Sequence, residues 1–249
     1  MSSKLIVVKL TVTELKLLAR EPVQAFFTVL FPTILVVILG SIPAFRKAAP
    51  ELGGNTYVSL YVGIAVALTL AMLGFQVTPM VLATYRERGI LKRLATTPAR
   101  PEMLLAAQLT AALITAVLAA ALVIGVGRIA FDVALPRQFA GFVLAFLLTA
   151  LGVFAIGLFI AALAPTGKAG NSIGTLLFFP SMFFAGLWTP REIFPHVLQR
   201  VGDFTPLGAG ERALHDAMTG HWPSLLSATV LVGYLVVFGF GAARLFRWS

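Results

Sequence analysis

Six runs of this sequence, at residues 23–42, 57–84, 103–127, 138–163, 170–188 and 223–243, contain no Asp, Glu, Lys or Arg. A helix that crosses a bilayer needs about 20 mostly apolar residues, because the backbone must satisfy its own hydrogen bonds where there is no water. Each run is close to that length or longer. They predict an all-α integral membrane protein: one polytopic membrane domain over residues 1–249 with six transmembrane helices. Only 12% of residues are charged, about half the roughly 25% of a soluble domain. No cysteine is present, which removes thiol catalysis, disulfides and Cys-based metal sites.

With charge confined to the connections, orientation follows from Lys and Arg. Twelve of the 19 fall on one side: Lys4, Lys9, Lys16, Arg20, Arg86, Arg88, Lys92, Arg93, Arg100, Lys168, Arg244 and Arg247. That side is expected to be cytoplasmic, with both termini inside. The net charge of +9 then reflects topology and anionic lipid, and nucleic acid is not an expected partner. Residues 4–21 lack the uninterrupted apolar stretch of a signal peptide. On a helix, Lys9, Thr13, Lys16 and Arg20 form one polar stripe opposite Val7, Leu15 and Leu18, which suits a helix lying in the cytoplasmic interface.

The segment YRERGILKRLATTPARPE, residues 85–102, is a basic island between two charge-free runs. From Thr84 to Leu94 it reads as a short helix in which Arg86, Glu87, Arg88, Lys92 and Arg93 alternate with Ile90, Leu91 and Leu94. Such a pattern can press its apolar residues into a partner groove while the charges stay solvated. Pro98 and Pro101 end it, since proline disfavours helix in the residue before it. An ordinary positive-inside loop accounts for the charges but not for the interleaved apolar residues.

Chemistry of the chain's own is not indicated. Gly167-Lys168 is the sole Gly-Lys pair, and it lacks the earlier glycine and following hydroxyl of a phosphate-binding loop. The six runs hold no carboxylate, which argues against an ion-driven carrier. Glu211 and His215 stand at i, i+4 with Asp216 next, a spacing a metal can use, but polar residues on an outer helix account for them better, and no metal site is expected.

The fifth run is chemically distinct. It carries Phe178, Phe179, Phe183 and Phe184 around Pro180, Ser181 and Met182, with Gly170 and Gly174 spaced for close helix contact at the inner end. Aromatic and Met side chains suit a greasy ligand, and they equally suit a lipid-facing kink. The second run has a polar notch at Phe75, Gln76, Thr78 and Pro79. Between runs five and six, residues 189–222 hold two short helical patterns that are expected to tuck against the outer leaflet or cap a pathway.

Three segments in this order, YRERGILKRLATTPARP, FFPSMFFAGLWTPREIFP and DFTPLGAGERALHD, make the chain resemble the membrane-spanning permease subunits of type 2 ABC exporters, of the daunorubicin-resistance and nodulation-export kind. The resemblance covers nearly the whole chain. It implies six spans, an N-terminal interfacial helix, short outer helices between spans five and six, and a dimer of permeases, identical or not, seated on two copies of an ATPase subunit. No cofactor is then held by this chain, and ATP and magnesium are bound by the partner. The island maps onto the coupling helix, giving that role to Arg86, Glu87, Arg88, Ile90, Leu91, Lys92, Arg93 and Leu94. Related exporters bind substrate between spans two and five, which points to Phe75, Gln76, Phe179, Met182 and Phe183, with Phe184 and Leu187 as an outer gate. The expected activity is export of a hydrophobic or amphipathic drug or lipid across a prokaryotic plasma membrane. The alternatives are a polysaccharide or glycolipid exporter and a non-transporting membrane anchor or assembly subunit.

Overall fold

A computed structural model describes residues 3–52, 54–95 and 101–245, without the side chains of Ser3, Glu51, Lys92, Leu94, Ala95 and Pro101. The described chain is helical, apart from one isolated β-bridge between Ala48 and Thr56. The helices are α1 (Ser3–Arg20), α2 (Pro22–Gly40), α3 (Tyr57–Glu87), α4 (Ile90–Ala95), α5 (Pro101–Phe131), α6 (Phe139–Leu163), α7 (Gly167–Phe184), α8 (His196–Asp203), α9 (Pro206–Thr219) and α10 (Leu225–Leu245). Among the described residues, α2, α3, α5, α6 and α10 are long and apolar enough to cross a membrane.

The fifth predicted span is α7, and it falls outside that set for a compositional reason. Its 18 residues open with Gly167, Lys168, Gly170 and Asn171. Its depth is set by its neighbour instead. The glycines of α7 meet α3 at Thr84, Pro79 and Phe75 in turn, and beyond its end the Leu187 carbonyl accepts from Tyr61 Oη at 3.2 Å. From Tyr61 to Thr84, α3 rises about 35 Å at 1.5 Å per residue, slightly more than the hydrocarbon core of a bilayer. Thus α7 and the turn after it run antiparallel to α3 over a full membrane thickness.

The central element is α3, apolar on every side and buried along nearly its whole length. It packs on α2, α5, α6, α7 and α9. One apolar cluster joins α3 to α5, α6 and α9 through Val62, Leu70, Val123, Phe146 and Leu214. A second joins it to α6 and α7 through Leu68, Phe75, Ile156 and Met182. The outer surfaces of α5, α6, α7 and α10 expose Leu118, Leu144, Leu176, Val236 and Phe240, as helices facing lipid or another helix do.

Two π-helical turns interrupt the spans, Phe26–Leu30 in α2 and Met72–Val77 in α3. Each stands just before a proline, Pro32 or Pro79. Proline offers no N–H and its ring crowds the carbonyl four residues back. A wider turn ahead of it relieves that clash. In α3 the Thr78 hydroxyl reaches back to the Leu73 carbonyl at 2.8 Å, which stitches the widened turn. The Phe75 carbonyl, to which Pro79 cannot donate, faces α7: a Cβ on Gly174 would lie 1.6 Å from it. One residue earlier, a Cβ on Gly157 of α6 would lie 2.1 Å from the Gly74 carbonyl. The close contact expected of Gly170 and Gly174 is present, and α6 makes a matching one.

The N-terminal helix α1 lies along α5. Lys9, Thr13, Lys16 and Arg20 are exposed, as the polar stripe predicts, while Ile6, Thr11 and Glu14 are buried. The segment after α7 folds into α8 and α9. Thr205 caps α9 by accepting from the Gly208 N–H at 3.1 Å, with Pro206 in the first turn, and Gly220 ends it at φ +103°. That positive φ suits glycine, which lacks a Cβ to clash. Far from lying loosely outside, α9 is largely buried against α3, α6 and α10.

Gly174→Ala is expected to destabilise the fold by roughly 1–3 kcal/mol, because its Cβ meets backbone rather than a yielding side chain. Gly63→Ala, at a site with nothing within 4 Å of the new Cβ, is the control and should not lose stability. Thermal unfolding of the full chain in detergent micelles compares the two.

Candidate functional site

The island does not form one continuous helix. Gly89, at φ +68°, ends α3 and turns the chain into the six-residue α4. The turn sends the side chains in directions the linear pattern does not predict. Leu91 does not face a partner: it is 1% exposed and packs with Leu82, Leu104 and Ala161 at the inner ends of α3, α5 and α6. Ile90 is half-buried, while Arg88 and Arg93 are exposed. The side chains of Lys92 and Leu94 lie outside the described residues, as do residues 96–100, where the expected proline stop begins.

Arg86 and Glu87 are turned onto this chain's own next connection, between α6 and α7. Arg86 donates to the Ala162 carbonyl at 3.1 Å and also to the Ala164 carbonyl. Glu87 accepts from the Gly167 N–H at 3.0 Å, at the first residue of α7. A carboxylate there satisfies an orphan donor and meets the positive end of the helix dipole. Thr166 completes the cap by accepting from Ala169 N–H at 3.1 Å. The inner end of α3 is therefore clamped to the inner end of α7 by charge as well as by glycine packing.

The five residues predicted to line a substrate path are divided. Phe75 is 1% exposed and Met182 is fully buried, both in the cluster that holds α3 to α7. Gln76 is half-buried within the π-helical turn. Phe179 is 52% exposed and stacks on Trp188, with centroids 6.1 Å apart. Phe183 stacks on Phe194 at 5.0 Å, beneath α8. Of the two gate residues, Phe184 sits against Gly202 of α8, and Leu187 is pinned through its backbone by Tyr61. An apolar recess of about 360 Å³ lies between α3, α6, α7 and α10, lined by Phe75, Phe159, Leu177, Tyr234 and Phe238 among others. Of the five, Phe75 alone lines it.

At the end of the bundle away from α4, α8 and α9 enclose a polar cleft of about 410 Å³. Asp203 accepts from Arg191 and, at 2.7 Å, from Arg212. Burial alone would raise the Asp203 carboxyl, but the two guanidiniums outweigh it and hold it below the usual range. Glu211 is 3% exposed. Burial pushes its carboxyl up to about 8, and Glu192 adds in the same direction against Arg191. Among the described residues no cluster of His, Asp and Glu is arranged to hold a metal. Neither the burial of Glu211 nor that of Glu14 is visible in residue spacing, because both depend on which helices pack over them. The one local signal was a carboxylate at an otherwise apolar helical position.

The sequence matches the family model of the ABC-2 type transporter over residues 7–219. No curated protein matches the chain.

Glu211 keeps its proton in the folded chain up to about pH 8, whereas the unfolded chain releases it near pH 4.5. Stability is therefore lost as pH rises through that window and levels off above it. Glu211→Gln stays neutral throughout. Its advantage over the native chain should be absent near pH 4.5 and grow to roughly 2–4 kcal/mol by pH 8. Melting curves at pH 5, 6.5 and 8 read this directly, and a constant difference across them contradicts it.

Proposed function

This chain belongs to the ABC-2 type transporter family, a multi-pass membrane permease subunit of an ABC-type transporter, and we propose that it works as an exporter of hydrophobic or amphipathic molecules. In this reading two permeases pair and two ATPase subunits seat against α4 on the cytoplasmic side, as in exporters of the daunorubicin-resistance kind. Both termini are then cytoplasmic, in a prokaryotic plasma membrane. The observation that carries the proposal is the clamp of Arg86 and Glu87 onto the α6–α7 connection.

The clamp has a mechanical consequence. A force on α4 passes through Leu91 into α3, α5 and α6 and through Glu87 into the first turn of α7. When the ATPases close on ATP, α4 moves and takes the inner ends of α3 and α7 with it. These two helices carry the candidate path residues. Their shared core of Phe75 and Met182 transmits the shift outward, and exposed Phe179 with Trp188 offers aromatic surface to the passing molecule. The apolar character of that surface favours a drug or lipid over a charged glycan. Coupling requires interactions that differ in energy between the two states. Nucleotide and substrate supply those differences, and the Glu87 cap passes the shift of α3 on to α7.

Two variants separate docking from relay in the reconstituted complex with its ATPase. Arg93→Glu reverses an exposed charge on α4 and should reduce co-purification of the ATPase. Glu87→Ala should leave assembly intact yet lower substrate-stimulated ATP hydrolysis about fivefold, the rate equivalent of a ~1 kcal/mol helix cap. Unchanged stimulation in Glu87→Ala would sink the relay.

A further inference from the structure

A cleft of about 360 Å³ opens between α1, the inner half of α3 and the first turns of α5. It shares none of the candidate path residues. Its walls include Glu14, Leu18, Val77, Arg88 and Gln108, with Glu21 near the α1–α2 junction. Glu14 is only 8% exposed. Both its oxygens lie 2.9 Å from Tyr85 Oη, but one hydroxyl supplies one proton to a carboxylate with about four acceptor sites. Gln108 is 5% exposed, and its Oε1 is buried with no donor. Two buried acceptors thus line a cleft whose remaining floor, Leu73 and Val77, is apolar. Leaving such groups unmatched costs stability.

The missing partner has a definite chemistry. It must carry positive charge to suit Glu14 and Glu21, and N–H donors to suit Gln108. It must also be joined to an apolar chain that can follow Leu18 and Val77 into the bilayer. The cleft, at about 360 Å³, is at the small end of ligand pockets and has room for a headgroup. Arg88 at the same cleft matches a phosphate. We propose that the cleft binds an amphiphile bearing a primary ammonium group. This assignment does not depend on the export reading. Two sources offer that chemistry: the ethanolamine headgroup of a membrane phospholipid, which adds a phosphate for Arg88, and a simple long-chain amine.

The test uses the full chain, delipidated in detergent, then supplied with phosphatidylethanolamine, phosphatidylcholine of the same acyl chains, or dodecylamine. Retained ligand is read by intact-protein mass spectrometry and by the shift in melting temperature. Phosphatidylethanolamine should be retained at least tenfold better than phosphatidylcholine, whose trimethylammonium has no N–H. Glu14→Gln and Gln108→Leu should each lose about that preference. Gln108→Leu removes an unmatched acceptor, so its fold should survive unliganded, which keeps the test decisive where Glu14→Gln folds poorly. Arg88→Gln that weakens phosphatidylethanolamine but not dodecylamine assigns the site to the phospholipid. Dodecylamine bound without phosphatidylethanolamine assigns it to the amine. Equal and measurable retention of the two phospholipids, retention of none of the three compounds, or wild-type retention by Gln108→Leu overturns the proposal.

Discussion

Backbone-to-backbone contact across α3 is the constraint on which the remaining structure depends. Gly157 of α6 meets the Gly74 carbonyl, and Gly174 of α7 meets the Phe75 carbonyl. In lipid, helices gain little from hiding apolar surface, so association rests on close packing and polar contacts. A side chain at either glycine would force the helices apart and open the cluster that contains Phe75, Ile156 and Met182. The π-helical turn at Met72–Val77 belongs to the same device. It absorbs Pro79 and leaves the Phe75 oxygen without a partner from that proline, at the place where α7 comes nearest.

That packing makes the polar contacts at the two ends useful. At the inner end, α3 is held close enough to α7 for Glu87 to reach the Gly167 N–H, and close enough to α6 for Arg86 to reach the Ala162 carbonyl. At the outer end, Tyr61 reaches the Leu187 carbonyl. Helices α3 and α7 are thereby fastened at the top, middle and bottom. They are suited to moving as a pair, whereas α10 is exposed over most of its surface. Helix α9, wedged against α6 with Gly210 at Thr149, closes the outer side and buries Glu211.

The sequence made some of this legible. The long apolar helices follow from charge-free runs, the close approach of α7 from Gly170 and Gly174, and the exposed polar stripe of α1 from Lys9, Lys16 and Arg20. The island was legible as a distinct element, but its internal orientation was not. Linear alternation placed Leu91 with Ile90 on a docking face. The left-handed turn at Gly89 instead rotates Leu91 into the chain's own core. Glu87 likewise read as part of a charged surface, because its partner Gly167 is 80 residues away. Gln108 sits in a run notable only for lacking charge, and nothing local shows that α1 covers it.

What the sequence alone determined is the solvent of each segment. Hydrocarbon excludes ionised side chains and unpaired backbone, so apolar runs become helices and basic residues mark one side. Tertiary structure decided which residues meet. Membrane helices present similar apolar surfaces, so their partners are chosen by shape, by a glycine opposite a carbonyl or a carboxylate opposite a helix N-terminus. Those matches join residues far apart in the chain and exist only once the helices are packed.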